Sequence, residues 1–229
     1  MLEHGHATHR GLRREHNEDN YWADTERRLW LVADGMGGPG RGEVASTIAL
    51  DAAVSALDAG VPLAEVFGRA GAAIRARARQ DTAAALMGCT LAILRLDAAG
   101  NYQLAWVGDS RIYIWQDGTL QRAKRPAVEA DADAENPAPP PAPHERTTRA
   151  LGITPATDLD TRIASGHSTP GMQFLLCSDG LTDELDTAAI AAIVARTDLA
   201  AQECVDHLLL AALDAGGHDN ITAVLVRVG

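Results

Sequence analysis

The apolar residues of the chain come in short runs whose period changes from segment to segment. Two alternating stretches open it, and Leu29 to Ala33 (LWLVA) then forms an unbroken apolar run that stops at Asp34-Gly35. Such a run, ended by a turn pair, predicts a strand buried on both faces. From Gly42 the period turns helical: in EVASTIALDAAVSALDA, Val44, Ile48, Ala52 and Leu57 fall near one face, and Gly60 ends the segment. A second helix is predicted from Pro62 to Gln80, with Pro62 suited to its first turn. Strands return at CTLAILRL from Cys89, YQLAWVGD from Tyr102 and RIYIWQ from Arg111, and Asp117-Gly118 reads as a hairpin turn before TLQRA. An Ala/Pro/acid-rich stretch at about 125–147 has no amphipathic period and is expected to be an exposed flap within one domain over 1–229, because strand-like segments resume after it. QFLLCSDG from Gln173 repeats the apolar run ending in Asp-Gly; helices over Thr187–Arg196 and Leu199–Ala215 follow, and NITAVLVRV from Asn220 is the last strand. Strands joined by tight turns and interrupted by two helix pairs predict antiparallel sheets with helices on their outer faces, a central β-sandwich.

Composition narrows the function classes. Aromatics are only 4% of the chain against 46% hydrophobic residues overall, so the core must be built mainly of Ala, Leu, Val and Ile. No apolar run reaches the roughly 18 residues of a membrane span, and MLEHGHATHRGLRREHNEDN holds no apolar segment of the secretory type. Cys89, Cys177 and Cys204 form no CxxC pair, which predicts neither a disulfide framework nor a zinc site and suits a reducing cytoplasm. A formal charge of −11 argues against nucleic acid or an anionic membrane as partner, since both are held mainly by Lys and Arg.

Some of the acid sits where solubility does not explain it. Asp34 ends LWLVA, Asp109 follows LAWVG, Asp179 follows FLLCS, and Asp219 stands two residues before ITAVLV. Each is expected at the tip of a buried strand, where a rigid backbone can aim a carboxylate into a shared cleft. Asp-Gly also makes ordinary turns, and Asp117-Gly118, between polar neighbours, needs no other reading. Carboxylates gathered from separate strand ends repel one another, and a hard divalent cation with oxygen ligands relieves this.

Five motifs occur in order: Arg14-Glu15-His16-Asn17-Glu18-Asp19, Asp34-Gly35-Met36-Gly37-Gly38, Gly108-Asp109-Ser110-Arg111, Ser178-Asp179-Gly180-Leu181-Thr182-Asp183 and Gly217-His218-Asp219-Asn220. Together they resemble the protein phosphatase 2C-like (PPM) family, in particular its compact bacterial members. The resemblance implies an α+β fold, a four-layer α-β-β-α sandwich of two mostly antiparallel sheets flanked by helix pairs. It implies a serine/threonine phosphatase that binds two Mn²⁺ or Mg²⁺ ions, with a third in bacterial members, and hydrolyses phosphoproteins through a water bridging the metals. By position, Asp34 would bridge both metals, the Gly35 carbonyl would ligate one, and Asp179 and Asp219 would complete the protein ligands of the first. Glu18 and Asp19 would act through metal-bound waters and Arg14 would grip the substrate phosphate. Asp109 with Asp179 would form the third-metal site, Asp183 being a further candidate there. The implied opposing partner is a serine/threonine kinase.

The chain departs from the family pattern at Met36, where eukaryotic relatives often place His; at Cys89, where Thr or Ser is usual; and in the flap, which lacks the usual Asp-rich pattern. Cys89 and Arg95 satisfy the bare Cys-x5-Arg spacing of cysteine-dependent phosphatases, but the glycine-free apolar TLAIL between them reads as a strand rather than a phosphate loop. His4, His6 and His9 lie close together, yet on a strand only His4 and His6 share a face. His218 is expected to shape a turn. A noncatalytic binding module would be favoured by a missing ligand, and all are present; a nuclease or phosphodiesterase is disfavoured by the charge.

Overall fold

The computed structural model describes residues 1–38, 40–80, 86–124 and 149–229; the flap expected at about 125–147 lies outside the described residues. Two antiparallel sheets stack face to face. One has the order β1 (Leu2–His9), β11 (Ile221–Val228), β10 (Gln173–Cys177), β7 (Arg111–Gln116), β8 (Thr119–Arg122). The other runs β2 (Asp19–Asp24), β3 (Leu29–Gly37), β5 (Leu91–Leu96), β6 (Asn101–Val107), β9 (Arg162–His167), with the short β4 (Met87–Cys89) pairing the far end of β3. Helices α1 (Arg41–Asp58) and α2 (Leu63–Ala78) cover the second sheet; α4 (Thr187–Val194) and α5 (Ala201–Ala215) cover the first, after a one-turn α3 (Asp179–Thr182). This is the expected α+β four-layer sandwich. Among the described residues no helix is long and apolar enough to cross a membrane.

Strand alternation explains the three core layers. In β3, Leu29, Leu31 and Ala33 pack against α1 and α2, whereas Trp30 and Val32 enter the layer between the sheets. In β10, Leu175 and Cys177 face α4 and α5 while Phe174 and Leu176 point between the sheets, and in β11 Ala223 and Leu225 face the helices while Val224 and Val226 point inward. A strand buried on both faces has no polar side, which is why its sequence is an unbroken apolar run. The same period carries past the apolar stretch: Asp34, Ser178 and Thr222 continue the inward-facing positions of β3, β10 and β11, and Asp19 those of β2. The layer between the sheets is therefore apolar along its length and polar at one end.

Two local expectations are corrected, and one strand is added. In α1 the most buried stripe is Ala45, Ala49, Ala53 and Ala56, flanked by Leu50, Val54 and Leu57, while Val44, Ile48 and Ala52 lie only half-buried at its margin. Small side chains let the helix axis approach β3 closely, so the contact face is not the one with the larger apolar groups. The strand expected from Cys89 is split into β4 and β5 at Thr90, which turns to hydrogen-bond Asp34. β9 was not resolved as a strand in the sequence because its exposed edge position leaves little apolar pattern. The hairpin turn at Asp117-Gly118 forms as expected, both residues at positive φ (50° and 76°) between Gln116 and Thr119.

The Ala stripe generates a test. Ala49→Leu overfills the α1–β3 contact and is expected to destabilise by about 1–3 kcal/mol. In thermal melts it should cost more than Ile48→Ala, although the latter deletes the larger apolar group.

Candidate metal centre

Five acidic side chains gather at the polar end of the interlayer, each placed by a strand end. Asp34 lies in β3, directly opposite Asp19, the first residue of β2. Asp109 sits in the turn from β6 to β7, Asp179 is the first residue of α3 just beyond β10, and Asp219 stands two residues before β11. Asp34, Asp109 and Asp179 each offer a carboxylate oxygen, and these three atoms lie within 4.8 Å of one another. They open on a cleft of about 460 Å³ that also receives Asp219, Gly35, Glu18 and Arg14.

The backbone around Asp34 is held from both sides. Its amide donates to Thr90 Oγ1 at 3.1 Å and its carbonyl accepts from the Thr90 amide at 2.9 Å. Thr90 Oγ1 in turn lies 2.6 Å from Ser110 Oγ, so one buried hydroxyl pair joins the Asp34 strand to the Asp109 turn. At Gly35 a Cβ would fall 2.1 Å from the Gly42 carbonyl oxygen; the absence of a side chain lets the start of α1 reach the Asp34-Gly35 backbone. The Gly42 amide donates to Glu18 Oε1 at 3.1 Å, so the Glu18 side chain rests against the positive end of that helix.

Asp19 is buried just behind the cleft. Its Oδ2 accepts from Ser178 Oγ at 2.7 Å, and its Oδ1 is buried with no protein partner. Burial, opposed by its hydroxyl partners and reinforced by Asp179 and Asp219, raises its pKa to about 7. Asp179 is raised to about 6 by burial and then by Asp109, Asp183 and Asp219, and Asp34 is pushed well above the usual carboxylate range by burial and its four acidic neighbours. Protein dipoles alone leave this cluster under-compensated.

Arg14 is the cationic side chain lining the cleft. It stands on the loop between β1 and β2, and its Nη2 donates to Asp219 Oδ2 at 2.6 Å. Asp219 Oδ1 accepts from the Asn220 amide at 2.8 Å, so both oxygens have a donor. Asp183 caps α3 one turn on from Asp179, largely exposed and outside the lining of the cleft; partial desolvation of its carboxyl raises its pKa, Arg111 opposes this, and Asp109 and Asp219 add to it.

Of the residues expected at the site, the structure brings Arg14, Glu18, Asp34, Gly35, Asp109, Asp179 and Asp219 to one cleft, sets Asp19 behind it and Asp183 beside it. Residues the sequence reading gave no role are Thr90, Ser110, Ser178, Asn220 and Thr222. All but Thr222 and Thr90 stand inside the five motifs, and the signal of these three was a small polar residue next to Asp109, Asp179 or Asp219. The competing constellations do not form. The Cys89 thiol is wholly buried and burial raises its pKa, while Arg95 lines a different cavity beside β6 and β9. His4 and His6 stack with ring centroids 5.4 Å apart, and His9 Nδ1 accepts from the Gly11 amide instead. His218 pairs with Glu184 at 2.7 Å, in keeping with a turn-shaping role.

Fold and cleft together define a four-layer sandwich protein with an acidic pocket at one end of its interlayer. Residues 7–214 match the family described as protein phosphatase 2C, and the chain belongs to that family. It is 32% identical over 238 residues to the serine/threonine protein phosphatase PstP of Mycobacterium tuberculosis, covering 100% of this chain and 45% of that protein, so it spans about half the length of this relative. It is 30% identical over 246 residues to the serine/threonine phosphatase stp of Listeria welshimeri, covering 96% of this chain and 93% of that one. Among solved structures, the catalytic domain of PstP in complex with two manganese ions superposes with a TM-score of 0.75 at 31% identity, over 99% of this chain and 97% of that chain.

The raised carboxylates set a pH dependence. Asp19 and Asp179 ionise near 4 in an unfolded chain but at about 7 and about 6 in the fold. Between those values the native state binds more protons, so their contribution is complete below about pH 4 and is lost as pH rises through about 6 to 7. In chelator, the wild type should therefore lose melting temperature relative to Asp19→Asn as pH rises from about 5 to about 8. Excess Mn²⁺ should close that gap. A difference between the two proteins that ignores pH would contradict the buried-carboxylate account.

Proposed function

We propose that the chain is a metal-dependent phosphoprotein phosphatase acting on phosphoserine and phosphothreonine, its phosphatase domain spanning 1–229. The observation that carries this is the convergence of strand-end carboxylates from β3, β6, β10 and β11 on one cleft, with an arginine at its rim. Metal content is supported by the donor set: three carboxylate oxygens within 4.8 Å of one another, and a buried Asp19 oxygen with no protein partner behind them. All are hard oxygen donors, the class that Mn²⁺ and Mg²⁺ take. The residues fit the group. Asp34, Asp179 and Asp219 with the Gly35 carbonyl would hold two ions, Asp109 with Asp179 would serve a third, and Asp183 is the outermost candidate there. Glu18 and Asp19 would act on them through water. Divalent cations so held lower the pKa of water and place positive charge against phosphoryl oxygens.

The chain's own groups do the rest. Arg14 offers a planar fork of donors to the non-bridging phosphate oxygens, and guanidinium suits this because its donors match two oxygens at once. Its present bond to Asp219 holds it over the cleft. The Asp34-Gly35 backbone, tied to Thr90 and packed on Gly42, keeps its carboxylate and carbonyl rigid, so little reorganisation accompanies the charge change at phosphorus. Met36 lines the cleft and has no proton to give, so the leaving oxygen takes its proton from water or from another group. We place the protein in the cytoplasm, a reading its three buried free thiols support, and set it against a serine/threonine kinase by family analogy.

The test is hydrolysis of an aryl phosphate and a phosphothreonine peptide with and without Mn²⁺. Activity is expected to vanish in chelator and to fall by about a hundredfold or more in Asp179→Asn. Full turnover in chelator would end the metal-dependent reading; full turnover by the variant would remove Asp179 from the ligand set.

A further inference from the structure

Asn220 is buried just before β11, and both donors and the carbonyl oxygen of its side-chain amide are directed at one loop. Its Nδ2 donates to the Arg10 carbonyl and to the His16 carbonyl, both at 2.9 Å, and its Oδ1 accepts from the Glu18 amide at 2.8 Å. The segment so bracketed, Arg10 to Glu18, is the loop that carries Arg14. Two further bonds tighten it: the Leu12 amide donates to the Gly217 carbonyl at 2.7 Å, and Arg10 Nη1 donates to the Arg14 carbonyl at 3.0 Å. Gly11, at φ 76°, lies so close to the same turn that a Cβ would sit 2.1 Å from the Asp219 carbonyl oxygen.

We infer that Asn220 is the positioning residue for Arg14, a buried side chain that pins the backbone of the phosphate-gripping loop onto the turn bearing Asp219. Arg14 itself is exposed and long, and an arginine held only by its own ion pair would sample many rotamers. Fixing both flanks of its loop from one buried amide removes the backbone part of that freedom. The geometry also sets the loop and the acidic cleft in one register, because Asn220 and Asp219 are consecutive. Loss of the amide would leave two carbonyls and one amide group of the loop without their partner. The consequence should fall on phosphate binding, while Asp219 keeps its place in the sandwich. This inference rests on the reading of Arg14 as the phosphate-binding group.

A double-mutant cycle tests it, using Arg14→Ala, Asn220→Ala and the pair, with kcat/KM on an aryl phosphate in saturating Mn²⁺, inhibition by inorganic phosphate, and Mn²⁺ affinity by calorimetry. Asn220→Ala should lower kcat/KM and weaken phosphate inhibition by about tenfold or more, hold Mn²⁺ affinity within about threefold, and add almost nothing in the Arg14→Ala background. Asn220→Asp, which keeps the acceptor and deletes both donors, should show the same loss of phosphate inhibition. If the Asn220 variants do not fold, Gly11→Ala, which displaces the same loop, is put through the same cycle. Losses that multiply, Mn²⁺ affinity that falls in step with activity, or wild-type kinetics in Asn220→Ala would each overturn the inference. Wild-type kinetics in Arg14→Ala would remove the Arg14 reading itself, and this inference with it; a defective Arg14→Ala with multiplying losses removes the inference alone.

Discussion

The structure is organised around the repulsion among carboxylates that cannot move apart. Asp34, Asp109 and Asp179 present oxygens within 4.8 Å of one another, and Asp19 and Asp219 stand close enough to raise their neighbours' pKa values. At such separations two ionised groups repel by on the order of 3 kcal/mol at an effective dielectric near ~20. A surface loop would relax and let them part. Here each stands at or beside one end of a strand whose other residues are locked into a dry core, so the strain is carried by the fold and the site stays open to a cation.

What opposes the repulsion is a set of small, well-placed donors. Ser178 Oγ supports Asp19, the Asn220 amide and Arg14 support the two oxygens of Asp219, and the start of α1 faces Glu18. These groups reduce the electrostatic cost without removing it, as the buried, unpartnered Asp19 Oδ1 records. A cleft fully neutralised by protein dipoles would have little affinity left for a metal. Partial compensation keeps the chain folded and the donors available.

The rigidity of the site and the stability of the sandwich thus share one source. Trp30, Val32, Phe174, Leu176, Val224 and Val226 fill the interlayer and hold the strands in register, and the register determines which residues emerge at its end. The Ala stripe of α1 belongs to the same logic, since only a close helix can bring Gly42 against Gly35 and Glu18. Arg14 is the exception. It is exposed and lies on a loop, so its placement depends on polar contacts to the turn before β11 rather than on core packing.

By itself the sequence determined the layered α+β architecture, the strand runs and their terminating aspartates, because alternation and helical period are local properties that each segment carries. The five motifs likewise named the residues of the cleft. Only the tertiary structure decided which face of α1 is buried, since close approach favours Ala over the larger Ile48 and Val44 that hydropathy selects. It decided that Thr90 breaks a strand to reach Asp34, that Ser178 rather than a charge answers Asp19, and that Asp183 stays outside the cleft. It also decided that Arg14 meets Asp219 across 205 positions of chain and that Asn220 holds the loop between them. Such contacts arise from the register of strands remote in sequence, and no local pattern contains a register; it follows from how all the apolar faces pack at once.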